Sequence, residues 1–271
     1  MGYMNEGLIR DRSSRINVAL LWLLISGLLV TMIAVRTTSA EAQMADGIEV
    51  EIPVESGTHD LTVETQSGTL RYSLHLPDSI SRDGSQPLIL VLHYGGPPSG
   101  FYGRPLIEQL VLPALGDLNA VMVAPVTLGG DWTNPQNEAA VFDLMSALET
   151  GYSTDPSRRL ITGYSMGGMG AWHFIARHQD YFSAAISISG FTAMDPSACQ
   201  TPIYALHSRA DSIFDAENLQ TEIDKLVAAG CDARVDFIDG VDHFNIPAFA
   251  PMLKGTLQWV QQLWNSGTSK Q

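Results

Sequence analysis

A serine between two glycines is the residue of this 271-residue chain best suited to nucleophilic chemistry. Ser165 lies in the sequence GYSMG (163–167), after the short apolar run 160–162 and before the helix-favouring segment 169–177. Strand, tight turn and helix form the context in which a G-x-S-x-G motif raises a serine hydroxyl above the edge of a sheet. The backbone N–H of Met166 then faces the same space. The motif predicts Ser165 as a nucleophile and Met166 as an oxyanion-hole donor, with a plain helix-packing turn as the alternative.

A base and an acid are needed to activate such a serine, because its hydroxyl is a weak nucleophile until a base removes the proton. Asp211 follows the apolar run that ends at Leu206, and His243 follows the run that ends at Ile238. Since the carboxyl ends of parallel strands meet at one edge of a sheet, both side chains are expected near Ser165. The order serine, aspartate, histidine is that of the α/β-hydrolase fold, so we predict Asp211 and His243 as the catalytic partners. Three carboxylates remain alternatives for the acid: Asp215, Asp239 and Asp242.

The loop after an earlier apolar run can supply a second oxyanion donor. The run Pro87 to His93 is typical of a central strand, and a glycine-containing loop follows it. Glycines permit close approach of the backbone to a ligand, so we assign the donor to the Tyr94 N–H, with Gly95 as the alternative. A plain turn is the competing interpretation. Trp132 and Phe244 are expected to bind substrate as walls of a cleft, although either could be a packing residue.

The other histidines are expected to have no catalytic role. His93 and His207 each end a central strand beside the site, and we expect them to brace loops through hydrogen bonds. We predict neither a metal ion nor a cofactor. Cys199 and Cys231 each precede a predicted strand. If those strands are parallel neighbours, a disulfide is plausible and would contribute on the order of 3 kcal/mol; two separate thiols are the alternative.

Apolar runs typical of strands alternate along most of the chain with segments whose apolar residues recur at helical spacing. This alternation predicts an α/β fold. A mainly parallel central sheet of about eight strands, covered by helices on both faces, would fill a catalytic domain over residues 47–265. Alternating residues between 47 and 65 indicate antiparallel strands, and a closing helix is expected from about Pro247 to Trp264. Only 45 residues separate Ser165 from Asp211, which leaves no room for a large lid.

The first 40 residues have the pattern of an export signal. Three arginines, at positions 10, 12 and 15, precede the uncharged apolar run 18–35, and small residues follow it. The run has 18 residues, which is long for a signal core and just long enough for a membrane span. We therefore predict either a cleaved signal peptide or an N-terminal membrane anchor. In both cases the rest of the chain is exported, to the periplasm or beyond, and in the second case residues 18–35 anchor it.

The charge balance argues against some classes of partner. The formal net charge is -14, and the segment 1–40 holds four of the 15 basic residues but two of the 29 acidic ones, so the remainder carries -16. Such an acidic surface disfavours nucleic acid and anionic membranes as partners. A membrane contact is expected only through an uncleaved anchor. The charge is compatible with a neutral substrate, although it usually indicates only a soluble surface.

Four short segments, LHYGG, GYSMGGMGAW, HSRAD and GVDHF, resemble those of a known group of exported α/β-hydrolase esterases. These are the polyhydroxybutyrate depolymerases, feruloyl esterases and dienelactone hydrolases, with some likeness to prolyl-oligopeptidase-like peptidases. The likeness covers about residues 68–264 and departs from the usual His-Gly at His93-Tyr94 and His207-Ser208. It implies a serine esterase that acts through an acyl-enzyme on a small-molecule or polymeric ester. A peptidase of the same fold, or a non-catalytic binding protein, are the alternatives.

Overall fold

A computed structural model describes residues 41–45 and 48–267. The predicted signal peptide or anchor, residues 1–40, lies outside the described residues, so its prediction stands as made. Within the described ranges, none of the helices combines the length and the apolar character that crossing a membrane would require.

An eight-stranded sheet forms the centre of the molecule, and its strands are parallel except where β3 and β4 enter at one edge. The spatial order is β10-β9-β8-β7-β5-β6-β4-β3. This sheet confirms the predicted α/β architecture. Its strands are β3 (Gly57–Thr65), β4 (Gly68–Leu76), β5 (Gln86–Leu92), β6 (Val121–Pro125), β7 (Thr154–Tyr164), β8 (Ala184–Ile188), β9 (Ile203–Ser208) and β10 (Ala233–Ile238).

The antiparallel strands at the start of the domain form two separate pairs. β3 pairs with β4 inside the main sheet, whereas β1 (Glu41–Ala45) and β2 (Ile48–Ile52) form a two-stranded sheet of their own. Residues of β2 alternate strictly between buried and exposed, which agrees with the predicted half-exposed strand.

Helices cover both faces of the sheet, as predicted. Asn134 begins α3, because its side chain accepts a hydrogen bond from the Gln136 N–H, and Pro135 at the first helical position needs no donor. Asp215 caps α5 in the same way through the Asn218 N–H. The helices are α1 (Arg104–Leu106), α2 (Leu112–Leu115), α3 (Pro135–Tyr152), α4 (Met166–Arg177), α5 (Ala216–Ala228), α6 (Ala250–Gly255) and α7 (Leu257–Gly267).

The closing helix differs from its prediction. It is divided into a short 3-10 turn, Ile246–Phe249, then α6, and then α7 after a break at Thr256. Both the N–H and the hydroxyl of Thr256 donate to the Leu253 carbonyl, which closes the turn before α7 begins. Hydrophobic spacing alone does not reveal such a local competitor for the helical hydrogen bonds.

The core lies on both sides of the sheet, and β5 separates its two halves. Leu88, Leu90 and Leu92 pack into one hydrophobic cluster, while Ile89 and Val91 pack into the other. All five side chains are fully buried, as expected of a central strand covered by helices on both faces. The loop at the carboxyl end of β5 is therefore held on a rigid base.

The two cysteines lie at neighbouring strands, as the sequence predicts, because β9 and β10 pair in parallel. Both are free thiols in the structure. Burial, and then a hydrogen bond with the Cys231 thiol, raises the pKa of Cys199 to about 12. The thiols are thus adjacent, and the disulfide remains a prediction.

Candidate active site

The turn between β7 and α4 holds Ser165 in a backbone conformation that few non-glycine residues adopt, with φ 54° and ψ -115°. A Cβ atom on Gly163 would lie 2.2 Å from the Gly167 carbonyl oxygen, and one on Gly167 would lie 1.9 Å from the Leu92 carbonyl oxygen. Neither position can hold a larger residue without movement of the backbone. The two glycines are therefore steric requirements of the turn that lifts Ser165 above the sheet.

Three side chains from different loops form a continuous hydrogen-bond chain at the carboxyl edge of the sheet. The Ser165 Oγ lies 2.8 Å from His243 Nε2, and His243 Nδ1 lies 2.7 Å from Asp211 Oδ2. The Asp211 side chain is fully buried and that of His243 is 5% exposed. The structure thus brings together the serine, the histidine and the aspartate that the sequence analysis selected.

The other candidate carboxylates are engaged elsewhere. Asp215 caps α5, and Asp242 accepts a hydrogen bond from the Phe244 N–H. The side chain of Asp239 is 88% exposed, with its carboxylate 3.7 Å from the Arg209 guanidinium. Of the four carboxylates, Asp211 is the one that meets His243.

Asp211 is held as a carboxylate. Burial alone would raise the pKa of Asp211, but hydrogen bonds from His243 and from the Ile213 and Phe214 N–H groups outweigh it, and the pKa falls below its ordinary value. A charged carboxylate on Nδ1 keeps the proton of His243 on that nitrogen. The Nε2 atom is then free to accept the proton of the Ser165 hydroxyl.

Side chains from central strands brace the loops that carry the acid and the histidine. The Tyr164 hydroxyl donates to the His243 carbonyl oxygen at 2.7 Å, and the Ser208 hydroxyl donates to the Val241 carbonyl oxygen. His207 Nε2 donates to the Phe214 carbonyl oxygen at 2.9 Å, so this histidine braces a loop as expected. Tyr164 and Ser208 were missed by the sequence analysis. Tyr164 stands at a variable position of the G-x-S-x-G motif, so the motif carries no signal for its role.

The loop after β5 lies on the other side of Ser165 from the loops that carry Asp211 and His243, because β5 and β8 flank β7 in the sheet. Thr127 N–H donates to His93 Nε2 at 3.2 Å, so the proton of this histidine is on Nδ1, which donates to the Tyr94 carbonyl oxygen at 2.7 Å. Burial lowers the pKa of His93 to about 4, which keeps the ring neutral. His93 therefore braces this loop, as expected. Gly95 faces Met166, the first residue of α4, whose N–H has no partner within the helix.

An open cavity of about 330 Å³ lies beside Ser165 and His243, which both contribute to its lining. Its lining includes the predicted residues Tyr94 and Phe244, and the Phe244 side chain is 75% exposed at the rim. Trp132 does not line it. Its side chain is only 1% exposed, and its indole N–H donates to the His93 carbonyl oxygen at 2.9 Å. The prediction of Trp132 as a cleft wall is corrected accordingly: it lies beneath the loop rather than in the cleft.

Among the side chains that the structure describes, no set of three or more histidines, cysteines or carboxylates is arranged to hold a metal ion. Away from the cleft, His173 and His178 converge on Glu138, at 3.0 and 2.9 Å, and Arg177 shares that carboxylate. This cluster joins α3 to α4.

Comparison with known proteins identifies the relatives of this chain. Residues 127–251 match the dienelactone hydrolase family. A probable feruloyl esterase C of Aspergillus niger is 27% identical over 123 residues, which are 44% of this chain and 46% of that protein. The probable feruloyl esterase C of Aspergillus flavus is 23% identical over 207 residues, 74% of each chain. This chain thus aligns with about half the length of the first relative and three quarters of the second.

A solved structure of a thermostable esterase superimposes with a TM-score of 0.63, at 23% identity, over 82% of this chain and 70% of that one. This likeness confirms the predicted α/β-hydrolase fold. Together with the family match and the two relatives, it also confirms the resemblance to the dienelactone hydrolase and feruloyl esterase group.

Proposed function

Because this chain has the α/β-hydrolase fold and resembles dienelactone hydrolases and feruloyl esterases, we propose that it is a serine hydrolase of carboxylic esters. The observation that carries the proposal is the hydrogen-bond chain from Ser165 through His243 to Asp211, with links of 2.8 and 2.7 Å. Such distances allow proton transfer between the hydroxyl and the imidazole. In this proposal Ser165 is the nucleophile, His243 is the general base, and Asp211 is the carboxylate that orients His243 and stabilises its positive charge.

The reaction begins when His243 Nε2 takes the proton of the Ser165 hydroxyl as Oγ bonds to the carbonyl carbon of the ester. The carbonyl π electrons move to the oxygen, and the Met166 N–H and the Tyr94 N–H bind the resulting oxyanion. Asp211 stabilises the positive charge on His243. Each oxyanion donor is expected to lower the barrier by roughly 3 kcal/mol.

The tetrahedral intermediate then collapses. The bond to the alcohol oxygen breaks, and this oxygen takes the proton from His243 Nε2 as the alcohol leaves. Water enters, gives a proton to His243 and adds to the acyl carbon of the acyl-enzyme. Collapse of the second intermediate releases the carboxylic acid, and the proton returns to the Ser165 Oγ.

The shape of the cavity supports small or extended esters as substrates. Its volume is about 330 Å³, it is open to solvent, and Phe244 and Ile246 contribute apolar surface beside Ser165 and His243. A flat aromatic acid can lie against such a surface, whereas a long lipid chain would remain in water. The names of the two fungal relatives agree with an aryl ester. We further propose that the protein acts after export, on the basis of the sequence pattern before residue 41.

Ester turnover by the full-length chain is the direct test. We expect hydrolysis of p-nitrophenyl acetate and methyl ferulate, and little of p-nitrophenyl palmitate. Ser165→Ala is expected to abolish turnover, by a factor of roughly 10³ or more, and to prevent labelling by a fluorophosphonate probe, because no activated hydroxyl remains. Circular dichroism would check that the variant is folded. Turnover that persists in Ser165→Ala would reject the mechanism, and cleavage of an aminoacyl anilide in preference to esters would instead indicate a peptidase.

A further inference from the structure

Three consecutive carbonyl groups of the loop after β5 are each bound by a side chain. The His93 carbonyl oxygen accepts from the Trp132 indole at 2.9 Å, and the Tyr94 carbonyl oxygen accepts from His93 Nδ1 at 2.7 Å. The Gly95 carbonyl oxygen accepts from the Tyr102 hydroxyl at 3.3 Å. Side-chain donors thus bind the carbonyl groups of three successive residues and fix that side of the loop.

These bonds determine where the N–H groups of the loop point. In a trans peptide group the C=O and the following N–H point in opposite directions. The Tyr94 N–H therefore points away from the Trp132 indole, and the Gly95 N–H points away from the His93 ring. Tyr94 and Gly95 both line the cavity above Ser165. Rotation of the peptide group between His93 and Tyr94 would break the bond to Trp132.

Trp132 is well placed to hold this orientation before a substrate arrives. It is 1% exposed, and its ring packs against that of His93 with a centroid distance of 4.8 Å. On its other side it fills the space above a glycine of α4, because a Cβ atom on Gly170 would lie 2.7 Å from the Trp132 Cβ. The indole is thus fixed by packing, and its N–H donates its hydrogen bond to the His93 carbonyl oxygen.

We propose that Trp132 is a positioning residue, which aligns the Tyr94 N–H for the oxyanion through its hydrogen bond to the His93 carbonyl oxygen. This inference rests on the proposed ester hydrolysis and adds a residue that never touches the substrate. The loop continues into Gly95 and Gly96, whose backbone is not restrained by a side chain, so its donors are well oriented only if neighbouring groups hold them. Fixed donors are effective because no reorganisation is needed as the charge develops.

The test compares two tryptophan variants of the full-length chain. Trp132→Phe removes the indole N–H and keeps an aromatic ring. Trp172→Phe is the matched control: Trp172 is also fully buried, lies in the same hydrophobic cluster, and has an indole N–H for which the described residues offer no hydrogen-bond partner. Both changes remove similar volume from the core, so any general loss of packing affects both.

We expect Trp132→Phe to lower kcat for methyl ferulate roughly 10- to 100-fold with little change in KM, and Trp172→Phe to leave kcat within about twofold of the wild type. A trifluoromethyl ketone inhibitor gives a second readout. Its adduct with Ser165 places an oxyanion in the same position, so its affinity is expected to fall by the same factor as kcat/KM. A merely structural role would not link these two losses.

The proposal is overturned if Trp132→Phe and Trp172→Phe have the same kinetics, or if Trp132→Phe raises KM alone. Should Trp132→Phe fail to fold, benzothienylalanine at position 132 replaces only the N–H by sulfur, and the same outcomes apply. Failure of the proposed function is distinct, because the wild type itself would then neither hydrolyse esters nor react with a fluorophosphonate at Ser165.

Discussion

His243 and Phe244 are neighbours in the chain, yet they belong to two different regions of the candidate active site. The side chain of His243 is 5% exposed and both of its ring nitrogens have hydrogen-bond partners, whereas Phe244 is 75% exposed. The first region, the buried centre, comprises Ser165, Asp211, His243 and the residues that brace them. The second, the exposed rim, comprises Phe244 and the half-buried Ile246, which both line the cavity.

The contrast indicates that the two regions have different roles. Atoms of the buried centre have few alternative positions, because each loop there is joined to a neighbouring strand by a side-chain hydrogen bond. At the rim, the Phe244 side chain presents apolar surface to solvent and to an approaching substrate. We therefore expect substitutions in the centre to act on the chemical step and on stability, and substitutions at the rim to act on the choice of ester.

The largest effect is expected for Asp211→Asn. An asparagine cannot hold the proton of His243 on Nδ1 or stabilise the imidazolium, so kcat is expected to fall by roughly 10³- to 10⁴-fold, measured with p-nitrophenyl acetate. Asp239→Asn is the matched control, since the Asp239 side chain is 88% exposed and does not contact His243. A larger loss in Asp239→Asn than in Asp211→Asn would show that Asp239, rather than Asp211, is the catalytic carboxylate.

A smaller effect is expected when the pH is lowered, which should reduce the stability of the folded chain through the buried His93. The pKa of His93 is about 4 in the folded chain, below the ordinary value of 6.5, because burial disfavours the charged ring. The unfolded chain therefore binds this proton first, and stability is lost as the pH falls from 6.5 towards 4, by on the order of 3 kcal/mol. Urea unfolding at several pH values would measure this slope.

The variant His93→Gln is expected to be less stable at neutral pH but to have a shallower slope between pH 6.5 and 4. His59→Gln, on the edge strand β3 and away from the centre, serves as the control. Equal slopes in the wild type and in His93→Gln would exclude His93 as the source of acid sensitivity. His207, whose pKa burial also lowers, contributes with the same sign and would account for a remaining slope.

The smallest effect is expected at the rim. Phe244→Ala removes an aromatic surface beside Ser165, so kcat/KM for methyl ferulate is expected to fall a few-fold, by roughly 1 kcal/mol, while that for p-nitrophenyl acetate changes less. Val227→Ala provides the comparison, because Val227 is 51% exposed and lies on α5, outside the cavity lining. Equal losses for the two esters would mean that the rim does not select the substrate.

Much of the fold and the grouping of the three central side chains could be predicted from the sequence. Strand ends are local signals, and in a parallel sheet they converge on one edge, so Asp211 and His243 could be selected from their distance past apolar runs. The glycines on either side of Ser165 gave a similarly local signal, because their small size is needed within the turn itself.

The role of Trp132 could not be predicted in the same way. Its place after β6 indicated the correct edge of the sheet, but whether its ring faces the cleft or the core depends on Gly170, 38 positions later. Tyr164 is similar, since its acceptor is the carbonyl of His243 on a distant loop. Side-chain direction in loops is set by long-range packing, and no local pattern carries that information.

The position of β10 has a consequence for how the proposed activity would be lost. β10 is the outermost strand on its side, so it has one neighbour in the sheet, β9, while the serine follows the interior strand β7. Edge strands open locally at a lower free-energy cost than the interior. Fraying of β10 would carry the histidine away while the nucleophile stays in place. Inactivation by heat or denaturant would then begin with reversible local unfolding of β10, before the whole domain unfolds.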